Sequence, residues 1–387
     1  MSAVAAPPVD KTTTAAIPWH LWCAALAVTS AMIGVHWDIS WHRSIGRDTF
    51  WTPAHIAIYL CGVLAGISCG YLILSTTFGR NGATGGAAVK IWGFRGPLGA
   101  FICAWGGIAM LTSAPFDDWW HNTYGLDVKI LSPPHIVLAL GIVSIELGAL
   151  ILILGAMNRA SGDLRGKLEW FFLYVAGMVL VALLVVFAEH IHRVALHTAR
   201  MYRTVSLLVP LVLAGVALAS RKRWSSTMVV AVYTAFLLGL EWILPLFPAE
   251  PKLGPVYVPV KQFVPPGFPL LILAPALALD LLRPKLESRR RWLQAAVAGA
   301  VFLGVLVLVE WPFANFLMTP GARNWVFGSH WLDYATHPNS YSARHQFVPL
   351  EKTAMEFWIG MGGALAAAIL STRLGLAWGG WMQRLRR

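Results

Sequence analysis

Residues 134–156, PHIVLALGIVSIELGALILILGA, decide the fold. Apart from His135 and Glu146 the run carries nothing that ionises. As a helix rising about 1.5 Å per residue it covers a hydrocarbon core about 30 Å thick. Comparable apolar runs recur on either side, at 17–37, 54–75, 97–114, 168–188, 203–219, 227–246, 267–282, 293–312 and 354–373. Over the 387 residues, 57% are apolar and 12% charged, with mean hydropathy +0.62. Soluble domains carry about 25% charged residues. The expected fold is all-α: a polytopic transmembrane helical bundle of about ten spans.

The net charge of +12 is placed unevenly. Loops 76–96, 157–167, 220–226 and 283–292 are short and basic, and the chain ends in Arg384, Arg386 and Arg387. These are alternate loops, the pattern expected when positive charge stays on the cytoplasmic side. Both termini are therefore expected there, in a multi-pass protein of the bacterial cytoplasmic (inner) membrane. The charge surplus reports topology, so membrane lipid, and no nucleic acid, is the expected partner. Loops 36–53, 115–133, 189–202, 247–266 and 313–353 fall on the outer, periplasmic side. Residues 1–16 form a polar tail that lacks the features of a cleaved signal peptide, which leaves the first apolar run as an anchor. The four cysteines lie inside apolar runs and read as small hydrophobes.

The outward loops collect the histidines. Eleven of the twelve lie in or beside them, and only His20 is near the inner side. Two stretches repeat one arrangement. Asp38, His42 and His55 stand in DISWHRSIGRDTFWTPAH, and Asp117, His121 and His135 in DDWWHNTYGLDVKILSPPH. In each, Asp and His at i, i+4 share a helix face. The second His follows Pro53 or Pro133-Pro134, which suit the first turn of a helix. A carboxylate with two imidazoles is a donor set for copper, zinc, iron or nickel. The bland alternative is an Asp–His hydrogen bond that ties a helix end, with the second His satisfied elsewhere.

The spacing Asp-x3-His-x12-His of the first triad resembles a copper site in the C subunit of the copper membrane monooxygenases, the particulate methane and ammonia monooxygenases. The second triad, with x13, is similar to that subunit's neighbouring site, where the family has Asn in place of Asp117. The resemblance covers about residues 30–160. It implies that Asp38, His42 and His55 are ligands of one copper and that Asp117, His121 and His135 form a second site. It also implies an oxygenase reaction, partner subunits and an electron donor such as quinol. The chain then divides into the tail 1–16, metal-binding hairpins over 17–160, and further transmembrane helices over 161–387.

Other polar clusters are less specific. EHIHRVALH places Glu189 and His192 at i, i+3, with His190 and His197 at i, i+7 if the stretch is one helix. They offer a further metal set, or partners that orient the ligand histidines, or a plain polar helix end. In the loop 313–353, His330, Asp333 and His337 have helical spacing. The proline-rich stretch 247–269 reads as an extended strap. Glu146, Glu241 and Glu310 are acids flanked by apolar residues, and Glu146, the deepest, is open to a proton path or to hydrogen bonding with a neighbouring helix. Trp119 and Trp120 could wall a dry cavity beside the second triad. The leading expectation is a copper-binding monooxygenase-type subunit. The alternative is a non-catalytic membrane subunit of a respiratory or metal-handling assembly, with structural metal sites.

Overall fold

The computed structural model describes residues 16–46, 49–79, 88–125, 132–191, 195–250, 260–317, 319–328 and 351–386. The chain is an all-α bundle. In order, its helices are α1 (Trp19–Ser44), α2 (Pro53–Phe78), α3 (Leu98–Tyr124), α4 (Pro133–Arg159), α5 (Gly162–Val186), a four-residue α6 (Ala188–Ile191), α7 (Ala199–Ala219), α8 (Ser225–Ile243), α9 (Leu273–Leu286), α10 (Arg291–Leu317) and α11 (Ala354–Met382). Nine helices among the described residues are long and apolar enough to cross a membrane, namely all but α6 and α9. The chain is a multi-pass helical membrane protein. One continuous core runs through both halves, from Leu21 in α1 to Met382 in α11.

Small residues set the closest helix contacts. In hydrocarbon, helices gain little from burying apolar surface and associate through close packing. On α3 and α4, a β-carbon at Gly106 would sit 2.7 Å from the Gly141 carbonyl oxygen, and one at Gly148 would sit 2.6 Å from Cys103 Sγ. The α7–α11 pair uses the same device, with Gly379 of α11 against the Gly215 carbonyl oxygen of α7 at 2.6 Å. At the end of the bundle away from the triads, a short hairpin joins α2 to α3, with strands β1 (Val89–Ile91) and β2 (Phe94–Gly96). Its two turn residues, Trp92 and Gly93, both have positive φ, as the tightest hairpin turns require.

The run at 267–282 does not form a spanning helix. α9 has 14 residues, or about 21 Å of rise. The cause lies just before it: Pro265, Pro266 and Pro269 have no N–H to donate, and Gly267 holds φ at 117°. The chain from Phe263 to Leu270 is neither helix nor strand. Its backbone finds partners on three helices. The Val264 N–H donates to Ser44 Oγ at 2.8 Å, and its carbonyl accepts from Ser40 Oγ at 2.6 Å, both on α1. Gly267 N–H donates to Glu241 Oε2 of α8 at 2.9 Å, and Leu271 N–H to Glu310 Oε2 of α10 at 2.8 Å. α9 then continues to the far end of α8, where Asp280 accepts from the Ser226 and Thr227 N–H groups at 3.2 and 2.7 Å.

Residues 263–286 therefore run from one end of the bundle to the other, the first part irregular and the second helical. Among the described residues, the start of α1 and the end of α11 lie at the same end of the bundle. The basic segments gather there too: Asn158 Nδ2 donates to the Met382 and Leu385 carbonyls at 2.8 and 2.7 Å, and Arg159 Nη1 to the Arg386 carbonyl at 2.6 Å.

Two substitutions test this packing. Gly148→Leu should lower the stability of the detergent-solubilised protein by about 1–3 kcal/mol or more, read as a fall in Tm. Gly304→Ala, where a β-carbon meets nothing within 4 Å, should leave Tm unchanged or slightly raised. Glu310→Ala removes the acceptor of a buried N–H and should cost about 1–3 kcal/mol. Glu310→Gln, which keeps an acceptor, should cost distinctly less in the same melt.

Candidate metal centre

Each triad sits where two antiparallel helices meet. Asp38 and His42 occupy the last two turns of α1, and Asp117 and His121 those of α3. The partner histidines occupy equivalent positions on the next helices. His55 and His135 are both the third residue of their helix, behind Pro53 and Pro133 at the first. Proline supplies the φ of a helix start and gives up an N–H that would lack an intrahelical partner there. At α4 the Ser132 hydroxyl helps to fix the start, accepting from the His135 N–H at 3.5 Å.

The aspartate bridges the two imidazoles in the same way in both copies. His42 Nε2 lies 3.6 Å from Asp38 Oδ2, and His55 Nε2 lies 3.4 Å from Asp38 Oδ1. His121 Nε2 lies 3.4 Å from Asp117 Oδ2, and His135 Nε2 lies 3.4 Å from Asp117 Oδ1. Thus each carboxylate oxygen faces one imidazole from each helix of the hairpin. In the second triad one donor atom from each residue falls within 4.8 Å of the other two. The first is looser, and its His42 side chain is 51% exposed.

These separations discriminate between the two chemistries expected of the triads. Hydrogen bonds of the N–H···O type fall at roughly 2.7–3.2 Å. Ligands about 2.1 Å from an ion at tetrahedral corners stand about 3.4 Å apart. The Asp–His separations of 3.4–3.6 Å are nearer the latter, and in the second triad alone all three donors also lie within 4.8 Å of one another. In addition, Asp38 Oδ1 and Asp117 Oδ1 are both buried without a hydrogen-bond partner among the described residues. A buried carboxylate oxygen without a hydrogen bond is costly, and a cation would satisfy it. The residues of the second triad fit a metal.

The surroundings differ between the copies. Tyr59, one turn beyond His55, has its ring 6.0 Å from the imidazole and packs against Phe50 at 5.3 Å. Beside the second triad, Trp120 packs on Tyr124 at 4.5 Å and on Phe116 at 6.1 Å. Trp119, expected to help wall a dry cavity, is instead 52% exposed. The end of α3 therefore presents an aromatic surface of the kind found at membrane–water interfaces.

The remaining sequence candidates fall as follows. The stretch after α5 is not one helix: α6 ends at Ile191 and α7 starts at Ala199, so His190 and His197 do not share a helix face. His192 lies outside the described residues, as do His330, Asp333 and His337. The side chain of Glu189 also lies outside the described part of the structure. His190 packs near Phe187, with ring centroids 6.1 Å apart. His197 is buried, with Nε2 2.9 Å from Asn315 Oδ1 on α10 and its ring edge-on to Trp311. Of the three apolar-flanked acids, Glu241 and Glu310 accept from the backbone N–H groups of Gly267 and Leu271. Glu146 is buried with no hydrogen-bond partner for either oxygen among the described residues. Sequence reasoning missed Tyr233, whose hydroxyl accepts from Leu270 N–H at 3.4 Å, and the buried His36, whose Nδ1 donates to the Met32 carbonyl at 2.8 Å. The proline-rich stretch was the available signal for Tyr233; His36 gave none.

Burial pushes the His197 pKa below the usual 6.5, partly offset by the bond to Asn315. Between the folded pKa and 6.5 the unfolded chain then binds more protons than the folded one. The stability contribution of neutral His197 is full above pH 6.5 and is lost as pH falls through that window. His197→Gln should flatten this acid-side loss when Tm is followed from pH 7.5 to 5.

No family model, curated protein or solved structure matches the chain, so a functional assignment rests on these donor sets and their surroundings.

Proposed function

We propose that this chain is a copper-binding membrane protein of the monooxygenase type, with one metal held by Asp38, His42 and His55 and another by Asp117, His121 and His135. The observation that carries the proposal is the repeated geometry: two hairpins, each with one carboxylate set between two imidazoles at 3.4–3.6 Å. The spacing likeness to the monooxygenase C subunit supports copper over zinc or iron. Copper, when bound, supplies one-electron redox chemistry toward dioxygen. The chain's own residues hold the donors and set the charge. Asp117, in place of the family's Asn, brings to the second site a negative charge equal to that of Asp38 at the first. Partner subunits and a quinol donor complete this proposal, as the likeness to the monooxygenase C subunit implies. The alternating basic segments support an inner-membrane location with the triads on the periplasmic side.

The 51% exposure of the His42 side chain favours a second role for the first triad alone, as an open metal-handling or structural site in a respiratory or metal-delivering assembly.

Metal analysis of protein purified from copper-replete cells should find copper at two per chain. His42→Ala and His121→Ala should each lose one, with the matching change in the electron paramagnetic resonance spectrum. Copper-free wild type would overturn the assignment. Quinol-dependent oxygen uptake that disappears in His121→Ala and survives in His42→Ala would give the first triad the handling role.

A further inference from the structure

A cleft of about 690 Å³ opens at the end of the bundle opposite the triads, between α7, α9, α10 and α11. We propose that it binds an anionic phospholipid, with the phosphate at its mouth and an acyl chain along its floor.

The mouth is strongly cationic. Arg165, Arg221, Arg283, Arg291 and Arg386 line it, against two acids, Asp280 and Glu287. Both acids are already engaged. Asp280 accepts from two N–H groups and the Thr227 hydroxyl at the start of α8. Glu287 pairs with Arg283 at 2.9 Å. The other four arginines have no carboxylate within 4.0 Å among the described residues. Arg165 gives Nη1 to the Met157 carbonyl at 2.9 Å, while its Nε is buried without a hydrogen-bond partner among the described residues. Guanidinium groups held close together without counter-charge repel one another, and a phosphate offers them both charge and paired acceptor oxygens.

The floor excludes a free inorganic anion as the fitting ligand. Leu213, Ala214 and Ala217 of α7, Leu279 of α9, Ala298 of α10 and Leu376 of α11 line it. From Arg291 to Ala298 the α10 wall descends about 10 Å, from charge at the mouth to methyl groups within. The alanines leave width that bulkier residues would close. A ligand that satisfies both levels has one anionic end and one long apolar end. Acidic lipids meet basic pockets between helices at the cytoplasmic face, which is where alternation of charge places this end.

The test uses the full chain in neutral detergent, with bound lipid counted by native mass spectrometry. Dioleoylphosphatidylglycerol should bind about tenfold more tightly than dioleoylphosphatidylcholine, and millimolar inorganic phosphate should not displace it. Arg221→Gln combined with Arg386→Gln should remove that preference. Ala217→Phe, which keeps every arginine but fills the floor, should weaken phosphatidylglycerol binding by a similar factor. Lys222→Gln, outside the cleft lining, should change nothing. Equal affinity for the two lipids, displacement by phosphate, or unaltered binding in Ala217→Phe would overturn the proposal. If a variant fails to keep the lipid-free Tm of the wild type, the wild-type comparison of the two lipids and phosphate decides.

Discussion

Every backbone N–H and C=O in a hydrocarbon layer must find its partner within the protein, because the layer offers none. That constraint shapes the whole molecule. Nine long helices meet it internally. The single pass that does not, residues 263–286, meets it with side chains: the Ser44 hydroxyl and the carboxylates of Glu241 and Glu310 accept the N–H groups that prolines and Gly267 prevent from forming a helix. Two buried acids that look costly in isolation are the acceptors that satisfy a non-helical segment packed within the bundle. The fold and its most expensive residues explain each other.

The triads obey the same logic at the bundle's edge. Asp38 and Asp117 sit at helix ends, where the chain leaves apolar surroundings and ionisable groups cost least. Their placement needs only local rules: a helical turn between Asp and His, and proline at the first position of the next helix. Those rules act alike in the two hairpins, so two different sequences that share the Asp–His spacing and the proline yield the same bridging carboxylate twice. The opposite end is built from different chemistry, arginines over small apolar residues. The molecule is polarised along its axis, with acid–imidazole sets at one end and guanidinium at the other.

The parts of this structure legible in the sequence are those governed by short spacing. Helix extents followed from apolar runs, although α3 and α10 continue past Pro115 and Pro312 and so outlast the runs that predict them. The triads followed from i, i+4 geometry and the prolines before His55 and His135. The pass at 267–282 misled because its leucines keep the window apolar on average, while Pro265, Pro266 and Pro269 delay the helix until Leu273. The partners of Glu241 and Glu310 were illegible for a different reason. Each acid binds backbone 26 or 39 residues away, a pairing that exists only after the helices pack. His197 is the same case, since its partner Asn315 lies 118 residues on.

The division of each triad between two helices has a consequence for biogenesis. Asp38 and His42 leave the ribosome with α1, but His55 arrives with α2; Asp117 and His121 wait in the same way for His135 on α4. Neither donor set exists until its second helix has turned back beside the first. A metal ion held by a full triad would therefore require a completed hairpin, since an insertion intermediate with a single helix presents only the Asp and one His.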